Sequence, residues 1–94
     1  MLESKVQTKI KKFMEGKGWI VVKTIQLSES GYPDLFAFKR GDVLFIEVKR
    51  EKGGRLSEIQ KYRIEMLEAQ GFKVIVPHGW DMFIQIYNDE IQDK

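Results

Sequence analysis

The sequence lacks cysteine and has one histidine, His78, so disulfide bonds and thiolate metal sites are excluded. It also lacks any apolar run close to the roughly 20 residues that a membrane span requires. Its N-terminal residues do not form the apolar core of a secretory signal. We therefore expect a cytoplasmic protein that has no disulfides and does not contact a membrane.

The sequence also lacks a large excess of positive or negative charge, because it has sixteen Lys and Arg residues and fourteen Asp and Glu residues. The resulting formal charge of +2 neither requires nor excludes nucleic acid, since a local basic patch matters more than the total. The basic residues do cluster, in residues 9–12, 39–40 and 49–55. Each cluster taken alone is equally typical of a solvated helix face or turn.

What the sequence does contain suits one compact domain. It has 94 residues, 43% of them hydrophobic, including two Trp, three Tyr and six Phe. A chain of this length has room for a single hydrophobic core. We therefore predict one domain over residues 1–94.

Hydrophobic periodicity and the positions of Gly and Pro predict the element order α-β-β-β-α-β-α. The predicted helices span residues 2–15, 57–70 and 80–91, and the predicted strands span residues 19–27, 34–39, 43–50 and 72–76. The second and third strands form an antiparallel hairpin around Arg40-Gly41-Asp42. The last strand follows a helix, which indicates a right-handed parallel crossover. The predicted fold is therefore α/β, with a mixed sheet and flanking helices.

Two charged residues interrupt the most apolar predicted strand. Glu47 and Lys49 alternate with Ile46 and Val48, so both project from one face, roughly 7 Å apart. They lie near the C-terminal end of the strand, where functional sites form in open α/β sheets. The same pair is also typical of an edge strand with one wet face, where it would be an ordinary surface ion pair.

Asp34 follows the turn Gly31-Tyr32-Pro33 and begins the neighbouring hairpin strand. An aspartate in a turn often accepts local backbone hydrogen bonds. If Asp34 instead lies opposite Glu47, two carboxylates converge, and they repel unless a proton or a cation lies between them. Because the chain has no cysteine and one histidine, oxygen ligands would favour a hard ion, Mg²⁺ or Mn²⁺.

Three polar residues depart from the amphipathic pattern of the predicted helices. Glu3 falls inside the apolar arc of the first helix at ~100° per residue, either as an acid near the helix N-terminus or as one that reaches toward the metal. Gln60 fits a capping box with Ser57, or faces the site from the apolar edge of its helix. Arg63 lies in the same arc, where it can meet a buried partner or a phosphate, or extend to solvent.

Four sequence blocks resemble the PD-(D/E)XK nucleases, and most closely the VRR-NUC (virus-type replication-repair nuclease) domain. In chain order they are an N-terminal helix with Glu3, then Gly31-x-Pro33-Asp34, Glu47-x-Lys49 and Leu56-Ser57-x-x-Gln60. Pro-Asp followed by Glu-x-Lys is a weak signal alone, whereas all four blocks at hairpin spacing, over nearly the whole chain, are specific. The resemblance implies a restriction-endonuclease-like fold, whose αβββαβ core matches the predicted element order.

The resemblance also implies a metal site. Asp34, Glu47 and the backbone carbonyl of Val48 would hold Mg²⁺ or Mn²⁺. Glu3 would bind the ion directly or through water.

Other residues are expected to act on the substrate. Lys49 would orient the attacking water and stabilise developing negative charge, and Gln60 would help to position that water. The candidates for contacts with DNA are Tyr32, Lys39, Arg50, Lys52, Arg55, Ser57 and Arg63.

By the same resemblance, the expected activity is metal-dependent cleavage of branched DNA, such as a four-way junction or a flap, in DNA repair. Minimal versions of the domain place two active sites on one branched DNA, which implies a homodimer. So small a version is typical of a phage or bacterial source, and hence of a bacterial or phage-infected cell. Two alternatives stay open: a non-catalytic DNA-binding or assembly module with the nuclease fold, and a metal-independent protein-interaction domain.

Overall fold

Four strands pair into one mixed sheet in residues 2–92, the part of the chain that this computed structural model describes. They are β1 (Ile20–Lys23), β2 (Leu35–Lys39), β3 (Asp42–Ile46) and β4 (Lys73–Ile75), in this order across the sheet. β2 pairs antiparallel with both β1 and β3, whereas β3 and β4 are parallel. Three residues of the predicted domain, Met1, Asp93 and Lys94, lie outside the described residues.

Helices flank this sheet. They are α1 (Glu3–Gly16), α2 (Glu58–Ala69) and α3 (Trp80–Ile86), and α3 continues into a π-helical segment (Tyr87–Ile91). The predicted α/β fold and the order α-β-β-β-α-β-α are therefore confirmed. Within residues 2–92, no helix combines the length and the apolar character needed to cross a membrane.

β1 is shorter than the strand predicted over residues 19–27. Its pairing with β2 ends at Lys23, and one further bond runs from the Thr24 N–H to the Asp34 carbonyl oxygen (2.8 Å). The chain between these two residues is a loop that contains Gly31 at φ +89° and Pro33, which has no N–H to donate. The prediction of a strand to residue 27 was therefore wrong.

β3 also ends before the limit predicted for it, residue 50. Its pairing with β2 stops at Ile46, but the chain stays extended on its other side, along β4. The Glu47 N–H donates to the Ile75 carbonyl and the Lys49 N–H to the Pro77 carbonyl, both at 3.0 Å. Glu47 and Lys49 thus lie just beyond β3, at the carboxyl end of the parallel strand pair.

The predicted hairpin is formed by a two-residue turn. Lys39 and Asp42 are paired, and the residues between them, Arg40 (φ 51°) and Gly41 (φ 84°), both have positive φ. Positive φ at both central positions is the mark of a type I′ turn, whose twist matches that of the flanking strands. The turn lies at the end of β2 and β3 that is remote from Glu47.

The hydrophobic core lies on one face of the sheet, beneath α1 and α3. Its buried side chains include Val6, Ile10, Met14, Leu35, Ala37, Leu44, Ile46, Val48, Phe83 and Tyr87. The indole N–H of Trp19 donates to the Tyr87 hydroxyl at 3.2 Å, which satisfies the polar groups that this core encloses. Phe13 of α1 packs edge to face against Trp80 and Phe83 of α3. These contacts fix α1, and with it Glu3, across the sheet.

The opposite face of the sheet is only partly covered. α2 packs beside β4, and none of its side chains is buried. Strand pairing places Ile20, Val22 and Phe38 on this face, where 68%, 48% and 37% of each residue is exposed. We call these three residues the outer strip. It forms an apolar surface on β1 and β2.

Gly31→Ala should destabilise the protein by about 2–3 kcal/mol, because an added Cβ would meet α2. That atom would lie 2.7 Å from Ile59 Cγ1 and 3.0 Å from the Ile59 carbonyl oxygen. Chemical denaturation would measure the free energy of unfolding. Gly41→Ala is the matched control, since Gly41 also has positive φ but nothing lies within 4 Å of its added Cβ. Equal losses in the two variants would contradict the role of the contact between the loop and α2.

Candidate active site

The loop before β2 places Asp34 at the edge of the sheet where β3 ends. The Thr24 hydroxyl lies within hydrogen-bond distance of the Pro33 carbonyl (2.9 Å) and the Asp34 carbonyl (3.0 Å), which fixes the end of this loop. The Asp34 carboxylate then accepts the Val48 N–H at 2.9 Å. β2 begins only at Leu35, so Val48 has no backbone partner on that side. The Asp34 side chain takes the place of that partner.

The backbone around Val48 alternates between two neighbours. The N–H groups of Glu47 and Lys49 point toward the β4 side, whereas the Val48 N–H points toward Asp34. In an extended chain the N–H and C=O of one residue face the same neighbour. The Val48 carbonyl accordingly faces the Asp34 side of the site, as the predicted set of metal ligands requires.

Glu47 is the one charged residue that is buried in the described chain, with 3% of its surface exposed. Its Oε2 lies 3.3 Å from Lys49 Nζ and 3.2 Å from Gln60 Nε2. A buried carboxylate without partners would be strongly unfavourable. The predicted surface-pair alternative does not hold, because the Lys49 side chain is also only 12% exposed.

Gln60 connects the start of α2 with the charged pair. Its Oε1 accepts the Ser57 N–H at 2.8 Å and a Lys49 Nζ hydrogen at 3.0 Å, while its Nε2 donates to Glu47. The Gln60 N–H donates in turn to the Ser57 hydroxyl (3.2 Å), which completes the capping box. Gln60 therefore caps α2 and also contacts the charged pair, as both interpretations of this residue require.

The two carboxylates are close enough to perturb one another. Burial, together with the negative charge of Asp34, raises the pKa of Glu47 to about 7 against the opposing effect of Lys49. Burial also raises the pKa of Asp34, although its hydrogen bond from Val48 acts in the opposite direction. Near neutral pH this pair therefore favours a shared proton or a bound cation.

The donors at this edge fit a hard divalent ion. Two convergent carboxylates and a backbone carbonyl offer oxygen ligands, which Mg²⁺ and Mn²⁺ prefer. Within residues 2–92, no three His, Asp or Glu side chains are close enough together to hold a metal jointly. Glu3 therefore does not join the carboxylate pair directly. Its charge still contributes to the raised pKa of Asp34, and its side chain lines a cavity with Lys49.

Two of the predicted DNA contacts lie together on the Asp34 loop and α2. The Arg63 guanidinium lies over the Tyr32 ring, 4.8 Å from its centroid. Arg63 Nε also donates to the Ser30 carbonyl (3.0 Å), and its Nη2 lies 3.6 Å from a Glu29 carboxylate oxygen. Arg63 thus ties the loop to α2. This agrees with the alternative in which Arg63 meets a partner within the chain rather than a phosphate.

The other predicted DNA contacts divide into two groups. Arg50 and Lys52 lie directly after Lys49 and line the cavity beside it, and Arg55 is an exposed residue of the same loop. Lys39 is not brought to the site. It ends β2 beside the hairpin turn, where its Nζ donates to the Lys17 carbonyl at 2.8 Å.

Sequence reasoning missed three residues of this region. Thr24 holds the end of the Asp34 loop, whereas Lys9 and Trp80 line the cavity beside Lys49. The sequence did contain a signal for Trp80. This residue follows β4, and the carboxyl ends of parallel strands share one edge of a sheet, so Trp80 could be expected near Lys49. Its helical spacing assigned it to the core instead.

The metal-free protein should lose stability as the pH rises from about 4.5 to about 7. The pKa of Glu47 is raised from 4.5 to about 7, so over this range the folded state holds a proton that the unfolded state releases. The stabilisation by this proton is complete below a pH of about 4.5 and is lost as the pH rises past about 7. The expected loss is on the order of 2–3 kcal/mol. The free energy of unfolding in EDTA, measured between pH 4.5 and 8, checks it.

Glu47→Gln provides the control for this titration. The amide cannot titrate, so the fall in stability between pH 4.5 and 7 should shrink in the variant. An unchanged pH profile in Glu47→Gln would contradict the assignment of the transition to this carboxyl group.

Comparison with known proteins places this geometry in a family. The family model described as "VRR-NUC domain" matches residues 3–81. A solved structure described as "VRR_NUC domain" has a TM-score of 0.85 and 27% identity, over 94% of this chain and 96% of that chain. A second, "VRR_NUC domain protein", has a TM-score of 0.79 and 25% identity, over 98% and 89%. No curated protein matches. The chain belongs to the VRR-NUC family of nuclease domains.

Proposed function

We propose that this protein hydrolyses phosphodiester bonds of DNA with Mg²⁺ or Mn²⁺. One observation carries the proposal: two carboxylates with raised pKa values, Asp34 and Glu47, converge at a strand end beside Lys49 and Gln60. Membership of a nuclease family supports the reaction class. The burial of Glu47 and Lys49 also disfavours the alternative of a surface ion pair in a metal-independent interaction domain.

Asp34, Glu47 and the Val48 carbonyl would hold the ion, with Glu3 contributing through water. A bound divalent ion lowers the pKa of its water and offsets charge on the phosphate. The protein contributes a rigid arrangement of these oxygens. Asp34 is fixed by the Val48 N–H, and Glu47 is fixed by Gln60.

Lys49 is the residue that we assign to the reacting water. Its Nζ is held between Glu47 Oε2 (3.3 Å) and Gln60 Oε1 (3.0 Å). An ammonium group fixed in this way is a compact positive charge, which orients water and stabilises negative charge that develops on the phosphate. Gln60 would position both the ammonium and a neighbouring water.

The DNA backbone would run across the loops that border the site. Arg50, Lys52 and Arg55 supply positive charge after Lys49, and Tyr32 and Arg63 lie on the Asp34 side. Ser57 caps the N-terminus of α2. Contacts of this kind are independent of sequence and weaken with salt. Lys39, at the far end of β2, would contact only DNA that extends along the sheet.

Branched DNA is the substrate that we propose, together with a homodimer that places two sites on it. The outer strip offers a surface for the second copy, because exposed apolar side chains grouped on one sheet face mark interaction sites. An apolar surface suits a protein partner better than a phosphate backbone. It lies on β1 and β2, whereas Arg50, Lys52 and Arg55 follow β3.

Cleavage should require Lys49. Labelled four-way junction, flap and linear duplex DNA would be incubated with Mg²⁺, Mn²⁺ or EDTA. Lys49→Ala should lower the cleavage rate by at least about a hundredfold, because one fixed positive charge is lost from the reacting centre. The Mg²⁺-dependent rise in melting temperature should persist, since both carboxylates remain.

Lys61→Ala is the matched control, since Lys61 is an exposed lysine of α2 that pairs with Glu58. It should cleave normally. Retained cleavage in Lys49→Ala would refute the role of Lys49. Salt-sensitive DNA binding without cleavage by the unmodified protein would favour the non-catalytic DNA-binding module.

Dimerisation should depend on the outer strip. Light scattering during gel filtration should give twice the mass of one chain for the unmodified protein and the mass of one chain for Val22→Glu. A charge at this position would be desolvated against the second copy. Tyr62→Glu, on the exposed surface of α2, should remain dimeric. A monomeric unmodified protein, or a dimer broken by Tyr62→Glu and not by Val22→Glu, would contradict this interface.

A further inference from the structure

A cavity of about 530 Å³ lies beside the carboxylate pair and is not accounted for by the metal site. α1 contributes Lys9 to its wall, the segment after β3 contributes Lys49 and Arg50, and the start of α3 contributes Trp80. Its volume is within the roughly 300–1,000 Å³ of small-molecule sites. Because Lys49 belongs to both the cavity and the candidate active site, a ligand in the cavity would lie next to the reacting phosphate.

Trp80 presents an aromatic surface that is already held in place. Its ring packs against Phe13 (centroids 5.7 Å apart) and Phe83 (5.6 Å), which restricts its rotation. Lys9 Nζ lies 4.4 Å from the centroid of the same ring. A partly exposed indole beside lysines is the kind of surface on which nucleobases stack, once Lys9 moves off the ring face.

The charges around the cavity favour a whole nucleotide over a free phosphate. Lys9, Lys49, Arg50 and Lys52 are cations, but Glu3, Glu51 and Asp81 also line the wall. Carboxylates repel a phosphate, whereas they accept hydrogen bonds from the amino groups of base edges. The ligand that satisfies both sets has an anionic backbone and a neutral, flat base with amino groups.

A base that is paired within a duplex does not expose its face, so it cannot stack on Trp80. We propose that the cavity binds one unpaired nucleotide adjacent to the scissile phosphate, with its base on Trp80 and its backbone on Arg50 and Lys52. This assignment rests on the proposed nuclease function and deepens it. It makes an unpaired nucleotide, as found at a flap or branch point, the feature of branched DNA that the site recognises.

Trp80→Leu and Trp80→Phe test the proposal, since both keep an apolar side chain against Phe13 and Phe83. Dissociation constants would be measured in EDTA, by fluorescence anisotropy, for a labelled single strand and for the duplex of the same sequence. Trp80→Leu should weaken single-strand binding about tenfold and Trp80→Phe should restore most of it, because stacking requires a flat ring. Duplex binding should change less than about twofold. Thermal melting of each variant shows that it is folded.

Tyr62→Leu is the control for loss of an exposed aromatic ring outside the cavity. Equal losses for single strand and duplex in Trp80→Leu, or no loss in either, would overturn the proposal. Unchanged DNA cleavage by Trp80→Leu would overturn the nucleotide subsite and leave the nuclease function standing. Single-strand binding that depends on Trp80, in a protein that does not cleave DNA with any metal, would support the subsite while overturning the nuclease function.

Discussion

The buried carboxylate of Glu47 is the constraint on which the rest of the site depends. At 3% exposure it cannot be hydrated as a free side chain is, so the protein must supply partners from elsewhere. Gln60 and Lys49 are those partners, and the capping box with Ser57 places Gln60 within reach of Glu47. The Gln60 side chain therefore has two effects: it fixes the start of α2, and it contacts Glu47. Loss of Gln60 would disturb both.

Asp34 extends the same logic to the sheet. β2 and β3 stop pairing at Leu35 and Ile46, and the Val48 N–H would be left without a backbone partner. The Asp34 carboxylate accepts this N–H and lies beside Glu47. Burial raises the pKa of both carboxyl groups, and the negative charge of Asp34 adds to the rise at Glu47. The same charge repulsion that destabilises the metal-free pair would favour a cation between the two groups.

Sequence patterns predicted the parts of the site that depend on local rules. Strand alternation placed Glu47 and Lys49 on one face, and capping chemistry placed Gln60 at the start of α2. Lys39 stays a predicted DNA contact, but the topology of the sheet places it away from the two carboxylates. In an antiparallel hairpin, residues at the C-terminal end of β2 lie opposite the start of β3, far from Glu47. The sequence could not predict the distance between Glu3 and the two carboxylates. That distance depends on how α1 packs across the sheet, whereas a helical wheel gives only the direction of a side chain around the helix.

One backbone ladder joins the edge that carries Glu47 and Lys49 to the cavity. Beyond β3 and β4 the parallel pairing continues through Lys49 and His78, and the Gly79 N–H donates to the Lys49 carbonyl (3.1 Å). Gly79 has φ +91°, a backbone conformation that favours glycine. The next residue is Trp80. The position of the indole relative to Lys49 is therefore set by the sheet itself, so the proposed recognition of a base and positioning of the phosphate would be parts of one rigid arrangement.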